Sequence, residues 1–369
     1  MAEIRALQGK YHLEGGEKLQ WFLGLEILRD RATRRLWLSQ AVYAEKCKKL
    51  LPTRADVLDD DSHKHTPMAK EELLPREGNA QPSEINRYQR KVGTILYAAV
   101  MTRPDVAFAA SRLARFNQNP SEVHQKAADR VLRYLYKTRY LCLCFGAAPG
   151  SANDALEVAS DASFGDNTLC RKSSQAFAMK LFGGLVAWRA NKQDTVTTST
   201  TEAELLALTQ AAKEALFASR LISRLQVQLP SELGERATYA SKEQKPTTIR
   251  IQCDNQQTVK LVTSELSKLR TKLRHVDIHN HWLRQEIAER RVDVAYTPSA
   301  ELMANGLTKA LDMTKHDAFI QQLNMTNEKV ILESNRARDL AADEARLEAE
   351  MMKEDVWAVE EACDFPRAP

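Results

Sequence analysis

Three acidic residues, Asp161, Glu204 and Asp254, stand where the pattern of the sequence changes. Asp161 is near the end of LEVASDASF, an expected strand; Glu204 is in the first turn of an expected helix from Thr200 to Leu225; Asp254 closes TTIRIQCDN, another strand. Element ends are where loops converge, so the three can meet. Carboxylates brought together repel and raise one another's pKa, and a fold keeps such a group only beside a compensating cation. Oxygen-only ligands suit Mg2+, with Mn2+ as a substitute, and a pair of such ions can activate water and stabilise the leaving oxygen of a phosphodiester. Plainer roles compete. Asp161 and Asp254 can end strands as turn acids, and Glu204 can close a capping box with Thr201. Ser199 and Glu202 offer the same box two residues earlier, so capping requires only one of the two glutamates.

The elements that must position these acids follow from hydrophobic periodicity. SSQAFAMKLF and LVAWRANKQ read as two strands joined by a tight turn at Gly183-Gly184, and with LEVASDASF they make three antiparallel strands. In the helix after Thr200, Leu205, Leu208, Ala212, Ala215, Ile222 and Leu225 recur at helical spacing. TTIRIQCDN sets Ile249, Ile251 and Cys253 on one face and Arg250, Gln252 and Asp254 on the other. More helix, a strand at Arg291 to Tyr296 and a closing helix from Met303 complete the order βββαβαβα.

Upstream, Leu19 to Gln40 reads as a hairpin around a polar turn at Asp30 to Arg35, followed by a helix from Ala41 to Leu51. Ser83 to Thr138 is helical in pattern, with Pro104 suited to a first turn and Ser121 to an N-cap, and three packed helices are expected. The divisions expected are 1–53 for the hairpin and helix, 54–83 for a mobile linker, 84–150 for a helical region, 155–311 for the acid-bearing domain, and 312–369 for a charged helical or disordered tail.

A chain of 369 residues exceeds one typical core. Hydrophobic content of 43% and charged content of 28% fit a globular protein, and no apolar run approaches the roughly 18 residues of a membrane span. The start lacks a signal-peptide core, so an intracellular protein, cytoplasmic or nuclear, is expected, with no membrane partner. Six scattered cysteines, without CxxC spacing, argue against disulfides and thiolate metal sites. The net charge of +4 divides unevenly: Glu333 to Asp364 carries eleven acids against four bases, leaving the remainder at +11. A basic body suits a polyanion such as nucleic acid, and solvated surface charge explains part of it equally well.

SDASFGD, WRANKQDTVTTSTTEAELLAL, IQCDNQQTVKL, KLRHVDIHNHWLR and MANGLTKAL, in this order, resemble the ribonuclease H domain of copia-type retrotransposon Pol polyproteins, fungal ones in particular. WFLGLEILRDRATRRLWLSQAVYAEK, Thr66-Pro67 and YQRKVGTILYAAVMTRPDVAFAASRLARF resemble the end of the reverse transcriptase of the same polyproteins. The resemblance covers roughly Leu19 to Leu311. It implies an α/β (α+β) fold, a ribonuclease H-like five-stranded mixed sheet with flanking helices, preceded by a β-hairpin and helical reverse-transcriptase remnant. It further implies Asp161, Glu204 and Asp254 as catalytic metal ligands, an RNA–DNA hybrid as substrate, and the polymerase part of a Pol polyprotein as a partner. Two departures stand out. The closing motif has Asn305 where the family has aspartate, which makes Asn305 a neutral fourth ligand to the metals. No adjacent aspartates in a YxDD-like setting precede Trp21, so no polymerase site is expected in this chain.

Arg171, Lys172, Arg189, Lys192, Gln193, Asn255, Lys272, Arg274 and Arg284 are candidates for holding the nucleic-acid backbone, against the alternative of a solvated basic face. His275 and His279 are spaced i, i+4, but no third zinc ligand accompanies them. Trp188 and Trp282 lie in apolar-patterned segments and are read as core. No small-molecule cofactor motif and no nucleophile elbow is present. The expected function is metal-dependent cleavage of the RNA strand of a hybrid; the rival is a decayed retroelement remnant that binds nucleic acid or a protein without cutting.

Overall fold

The computed structural model describes residues 19–52, 66–146, 156–168, 170–225, 229–230, 236–237, 248–264 and 274–333. The chain forms two compact units that divide after Thr326. In the first unit the acid-bearing sheet is built from β5 (Glu157–Ser163), β6 (Ser174–Leu181), β7 (Gly184–Lys192), β10 (Ile249–Cys253) and β11 (Val292–Tyr296), in the order β11-β10-β5-β6-β7. β5 to β7 are antiparallel neighbours, whereas β10 runs parallel to both β5 and β11. This is the mixed five-stranded sheet expected. A parallel pairing needs a crossover, and α5 (Thr200–Arg224) provides the one that brings β10 back beside β5. Between them a two-residue pairing joins β8 (Leu229–Pro230) to β9 (Arg236–Ala237).

The turn between β6 and β7 differs in detail from expectation. Its central residues, both at positive φ, are Phe182 (54°) and Gly183 (74°), and Gly184 already belongs to β7. Positive φ at both positions is the hairpin geometry whose twist matches that of the strands. Gly184 serves a separate need: a Cβ there would lie 2.3 Å from the Phe145 ring and 2.6 Å from the Cys144 carbonyl oxygen.

The upstream chain supplies a second sheet, β1 (Trp21–Phe22), β2 (Leu25–Asp30), β3 (Arg35–Ser39) and β4 (Leu141–Phe145), ending on β12 (Met325–Asn327). Asp30 closes the β2–β3 turn by accepting from the Ala32 amide at 2.8 Å and the Thr33 hydroxyl at 2.6 Å. The helix expected from Ala41 to Leu51 is α1 (Ala41–Lys46), tightening into a 3-10 turn at Cys47–Leu50. The three helices expected next are α2 (Pro82–Met101), α3 (Ala107–Ala114), entered by a 3-10 turn from Pro104, and α4 (Glu122–Lys137), whose N-cap Ser121 accepts from the His124 amide. The remaining helices are α6 (Gln256–Thr263), α7 (Arg274–Ala288) and α8 (Met313–Gln322). Instead of a helix beginning at Met303, a 3-10 turn at Asn305–Leu307 precedes α8, because Asp312 supplies the N-cap by accepting from the Lys315 amide.

The sheet separates two cores. Val158, Phe177, Met179, Ile251 and Val294 pack with Leu205, Leu208 and Ala212 of α5 and Leu283 of α7. On the opposite side Ala159, Ala178 and Leu185 pack with Tyr88, Ile95, Leu113 and Leu132 from α2 to α4. The upstream helices therefore fill the place of a second helical layer, and the expected divisions are ones of sequence pattern rather than of packing. The expected mobile linker is also corrected over its described part. Thr66 is buried and accepts from Arg130 at 2.8 Å, Met68 joins the core, and the Ala80 amide donates to Asn119 at 2.7 Å. Residues 53–65, and most of the acidic tail, lie outside the described residues.

A buried polar network crosses this second core. Arg103 donates to Asp105 at 2.7 and 2.9 Å and to the Thr138 hydroxyl at 2.6 Å. Tyr134 donates to Asp105 at 2.7 Å and lies 2.9 Å from His316 of α8. Buried charges are tolerated when every lone pair and proton is matched, so removing one member strands the others. Tyr134→Phe is expected to lower stability by about 1–3 kcal/mol, the usual penalty for an orphaned buried polar group, and the midpoint of urea unfolding would show it. A midpoint equal to that of the parent would mean the network adds nothing to stability.

Candidate active site

Asp161 leaves the sheet near the end of β5, Asp254 follows β10, and Glu204 lies in the first turn of α5. One carboxylate oxygen from each falls within 4.8 Å of the others, and this is the only group of three or more potential His, Cys, Asp or Glu ligands among the described residues. Asp161 is 2% exposed and Glu204 6%. The competing roles left open by the sequence divide cleanly. Ser199 caps α5 by accepting from the Glu202 amide at 3.2 Å, and Glu202 reaches back to accept from the Thr198 amide and hydroxyl, both at 2.7 Å. Glu202 completes the cap, which leaves Glu204 for the cluster.

Two hydroxyls and one ammonium that sequence reasoning did not single out hold the acids in place. Thr308 donates its hydroxyl to Asp161, and Ser299 donates to Asp254 at 2.5 Å. Lys309 draws the carboxyls of Asp161 and Glu204 toward the charged form. Thr308 and Lys309 both belong to the quoted MANGLTKAL motif, so the signal was present in the sequence. It lacked a geometry in which a threonine meets a strand carboxylate 147 residues away.

Electrostatic crowding is evident in the protonation behaviour. Burial raises Asp161, with Lys309 and the Thr308 bond opposing and Asp254 adding to the rise. Burial, then Asp161, then Asp254, push Glu204 up to about 9. Glu204 Oε2 is buried with no hydrogen-bond partner. Asn305 begins the 3-10 turn of the same loop; its backbone carbonyl accepts from Thr308 at 3.1 Å, and its side-chain Oδ1 is also buried and unpartnered. Oxygen donors only, an excess of negative charge and unpartnered buried oxygens fit a hard divalent cation.

The chain is similar to several transposon proteins. It is 30% identical over 311 residues to the retrovirus-related Pol polyprotein from transposon TNT 1-94 of Nicotiana tabacum, covering 83% of this chain and 21% of that one. With the corresponding polyprotein from transposon RE1 of Arabidopsis thaliana the identity is 27% over 321 residues, 87% of this chain and 20% of that one. The chain belongs to the copia-type retrotransposon Pol polyproteins. It spans about a fifth of the length of these two polyproteins. The secreted RxLR effector protein 161 of Plasmopara viticola is 42% identical over 130 residues, 35% of this chain and 89% of that protein. No protein-family model matches. Among solved structures, LC11-RNase H1 in complex with an RNA/DNA hybrid aligns over 42% of this chain and 93% of that chain, at 10% identity and a TM-score of 0.29. The N-terminal RNase H domain from Mycobacterium tuberculosis, solved as a fusion with maltose binding protein, covers 46% of this chain and 98% of that one, at 13% identity and a TM-score of 0.28.

The candidate backbone-binding residues of this Pol chain fare differently. Arg171 and Arg189 are exposed, Lys172 and Lys192 half-buried. Gln193 is not available: it is 2% exposed and donates to the Ala203 carbonyl at 2.8 Å and to Gln175 at 3.2 Å, because it joins the end of β7 to α5. Asn255 caps α6 by accepting from the Thr258 amide at 2.9 Å. Arg284 lies 3.4 Å from the Leu261 carbonyl. Lys272 and the side chain of Arg274 lie outside the described residues. Trp188 donates to the Ala99 carbonyl at 2.7 Å and packs on the upstream core, and Trp282 packs on the other, which bears out the core reading of both.

The cluster implies a pH dependence. A carboxyl whose folded pKa is raised binds more protons in the native state, so the stability it contributes is complete below its ordinary pKa and is lost as pH rises through the folded value. Without divalent metal, the melting temperature should fall between about pH 5 and pH 9, and Glu204→Gln should flatten that slope. A parallel slope in the variant would exclude Glu204 as its origin.

Proposed function

We propose that this Pol chain hydrolyses the RNA strand of an RNA–DNA hybrid at Asp161, Glu204 and Asp254, with Asn305 as a fourth, neutral ligand. The observation that supports this is the convergence of three carboxylates, Asp161 and Glu204 buried and Asp254 half-buried, with Glu204 spared from capping. Bound Mg2+ would polarise the scissile phosphodiester and activate water. Asp161, aimed by Thr308, and Asp254, aimed by Ser299, would hold the metal, through which the reacting phosphate is positioned. Glu204 keeps one oxygen unpartnered at the cleft, in place to orient the attacking water. The 2′-OH groups distinguish the strand to be cut. Arg171, Lys172, Arg189 and Lys192 contact backbone phosphates, which positions the duplex without reading its sequence.

Asp161→Asn is expected to abolish hybrid cleavage while leaving the melting temperature near that of the parent; cleavage at the parental rate would remove Asp161 from the site.

A second reading, a remnant that binds nucleic acid without cutting, is favoured by Asn305. An amide in place of a carboxylate removes one negative charge from a site that must hold divalent cations, and in a partly dry cleft the loss is large. If the site is active, Asn305→Asp should lower the magnesium concentration for half-maximal cleavage and raise the rate without changing the strand cut. Cleavage appearing only in Asn305→Asp would establish the remnant reading for the parent.

A further inference from the structure

A cavity of about 320 Å3 opens between the upstream helices and the acid-bearing sheet, at the end where Asp161 leaves β5. At about 30 Å3 for each water in the liquid, it has room for a phosphate group with solvent around it. Its walls carry Arg76, Arg112, Arg115 and Lys192 against one carboxylate, that of Glu72. Arg112 pairs with Asp166 at 3.1 Å and Arg76 with Glu84 at 2.9 Å. Glu72 accepts from Thr168 at 2.5 Å. Among the described residues no carboxylate pairs with Arg115 or Lys192. Lys192 reaches only the Cys170 sulfur, at 3.8 Å. Arg115 donates through Nη2 to Ser174 at 3.1 Å, while its Nε and Nη1 are buried without a partner.

Guanidinium N–H groups removed from water and left unmatched are costly, and the cost falls when an anion fills the space. Burial, then the neighbouring Arg112, depress the Arg115 pKa, with Asp166 and Cys170 opposing the shift without cancelling it. The carboxylate cluster has an excess of negative charge and the cavity an excess of positive charge. They lie at either side of the same connection, since the chain that leaves β5 after Asp161 turns through Asp166 before reaching Cys170 on the cavity wall. Arg112 and Arg115 come from α3 and its C-cap, so the sheet and its loops alone do not make this cavity.

We propose that this cavity is a phosphate subsite, which takes a backbone phosphate of the nucleic acid held at the carboxylates. The source of the phosphate rests on the nuclease reading above; the anion site itself does not. Successive phosphates of one strand advance about 3.4 Å along the duplex axis, so a strand gripped at Asp161 carries further phosphates past the same end of the sheet. Arg115 and Lys192 contribute the charge, and the upstream helices thereby take part in holding substrate rather than only covering the sheet.

Cys170 gives a direct readout, being half-buried on the cavity wall while Cys47, Cys142, Cys144 and Cys253 are buried. Full-length protein carrying Asp161→Asn, to keep the hybrid intact, is alkylated with iodoacetamide in magnesium, and Cys170 modification is followed by peptide mass spectrometry. A saturating RNA–DNA hybrid should slow that modification several-fold. Arg115→Gln and Lys192→Ala should each remove the protection and lower the slope of log binding constant against log salt by about 0.7–0.9, one phosphate contact's worth of counterion. Lys192→Ala keeps the test valid if Arg115→Gln fails to fold, because the Lys192 ammonium touches only the cysteine sulfur.

The subsite is overturned, with the nuclease reading intact, if the parent cuts hybrid while Cys170 labelling and both salt slopes stay unchanged. Protection of Cys170 by a hybrid that the parent never cuts supports the subsite and sinks the nuclease reading. Protection by inorganic phosphate but not by hybrid overturns the backbone source and assigns the cavity to a small phosphate ligand. Lack of hybrid binding together with lack of phosphate protection overturns the proposal outright.

Discussion

Three carboxylates with oxygens within 4.8 Å of one another, two of them buried, repel one another, and much of the local architecture exists to keep them there. Separation would relieve the repulsion, so each acid must be fixed by something stiffer than its own side chain. Asp161 is fixed by its strand and by Thr308; Asp254 by the end of β10 and by Ser299; Glu204 by the helix that Ser199 and Glu202 cap. The glutamate that caps and the glutamate that serves the cluster are two residues apart, so they point in different directions around the helix. A single glutamate could not do both.

The same constraint explains the second layer. The loop that carries Asn305, Thr308 and Lys309 has little regular structure of its own, and it is held from behind. Gly306 lies against Phe319, where a Cβ would come within 2.5 Å of the ring, and α8 is tied through His316 to Tyr134 and Asp105 of the upstream helices. A contiguous packed and hydrogen-bonded path thus joins the upstream helices to the loop whose Thr308 meets Asp161.

Charge is arranged with similar economy. Acids crowd where β5, β10 and the start of α5 meet, and four bases line a cavity reached by the connection that follows β5. Neither arrangement is expressed in the net charge of +4, which averages an acidic tail with a basic body. The useful quantity is local, because fields between exposed charges decay within about a Debye length while those in dry clefts do not.

By itself the sequence determined the element order, since alternation and helical spacing are written residue by residue. The Asp30 turn, the Ser121 and Ser199 caps, three antiparallel strands and the long helix after Thr200 all follow from local chemistry. It also supplied the candidate acids, and left Glu204 and Glu202 as rivals for the cap. Only tertiary structure decided that rivalry, because a capping bond depends on which oxygen reaches which amide. Tertiary structure also decided that Gln193 belongs to the interior, that Thr66 and Met68 are fixed rather than linking, and that helices from 82 to 137 close the other face of the sheet. These outcomes depend on contacts between residues far apart in the chain, such as Thr308 with Asp161 and Tyr134 with His316, and periodicity carries no information about which distant partner a surface will meet.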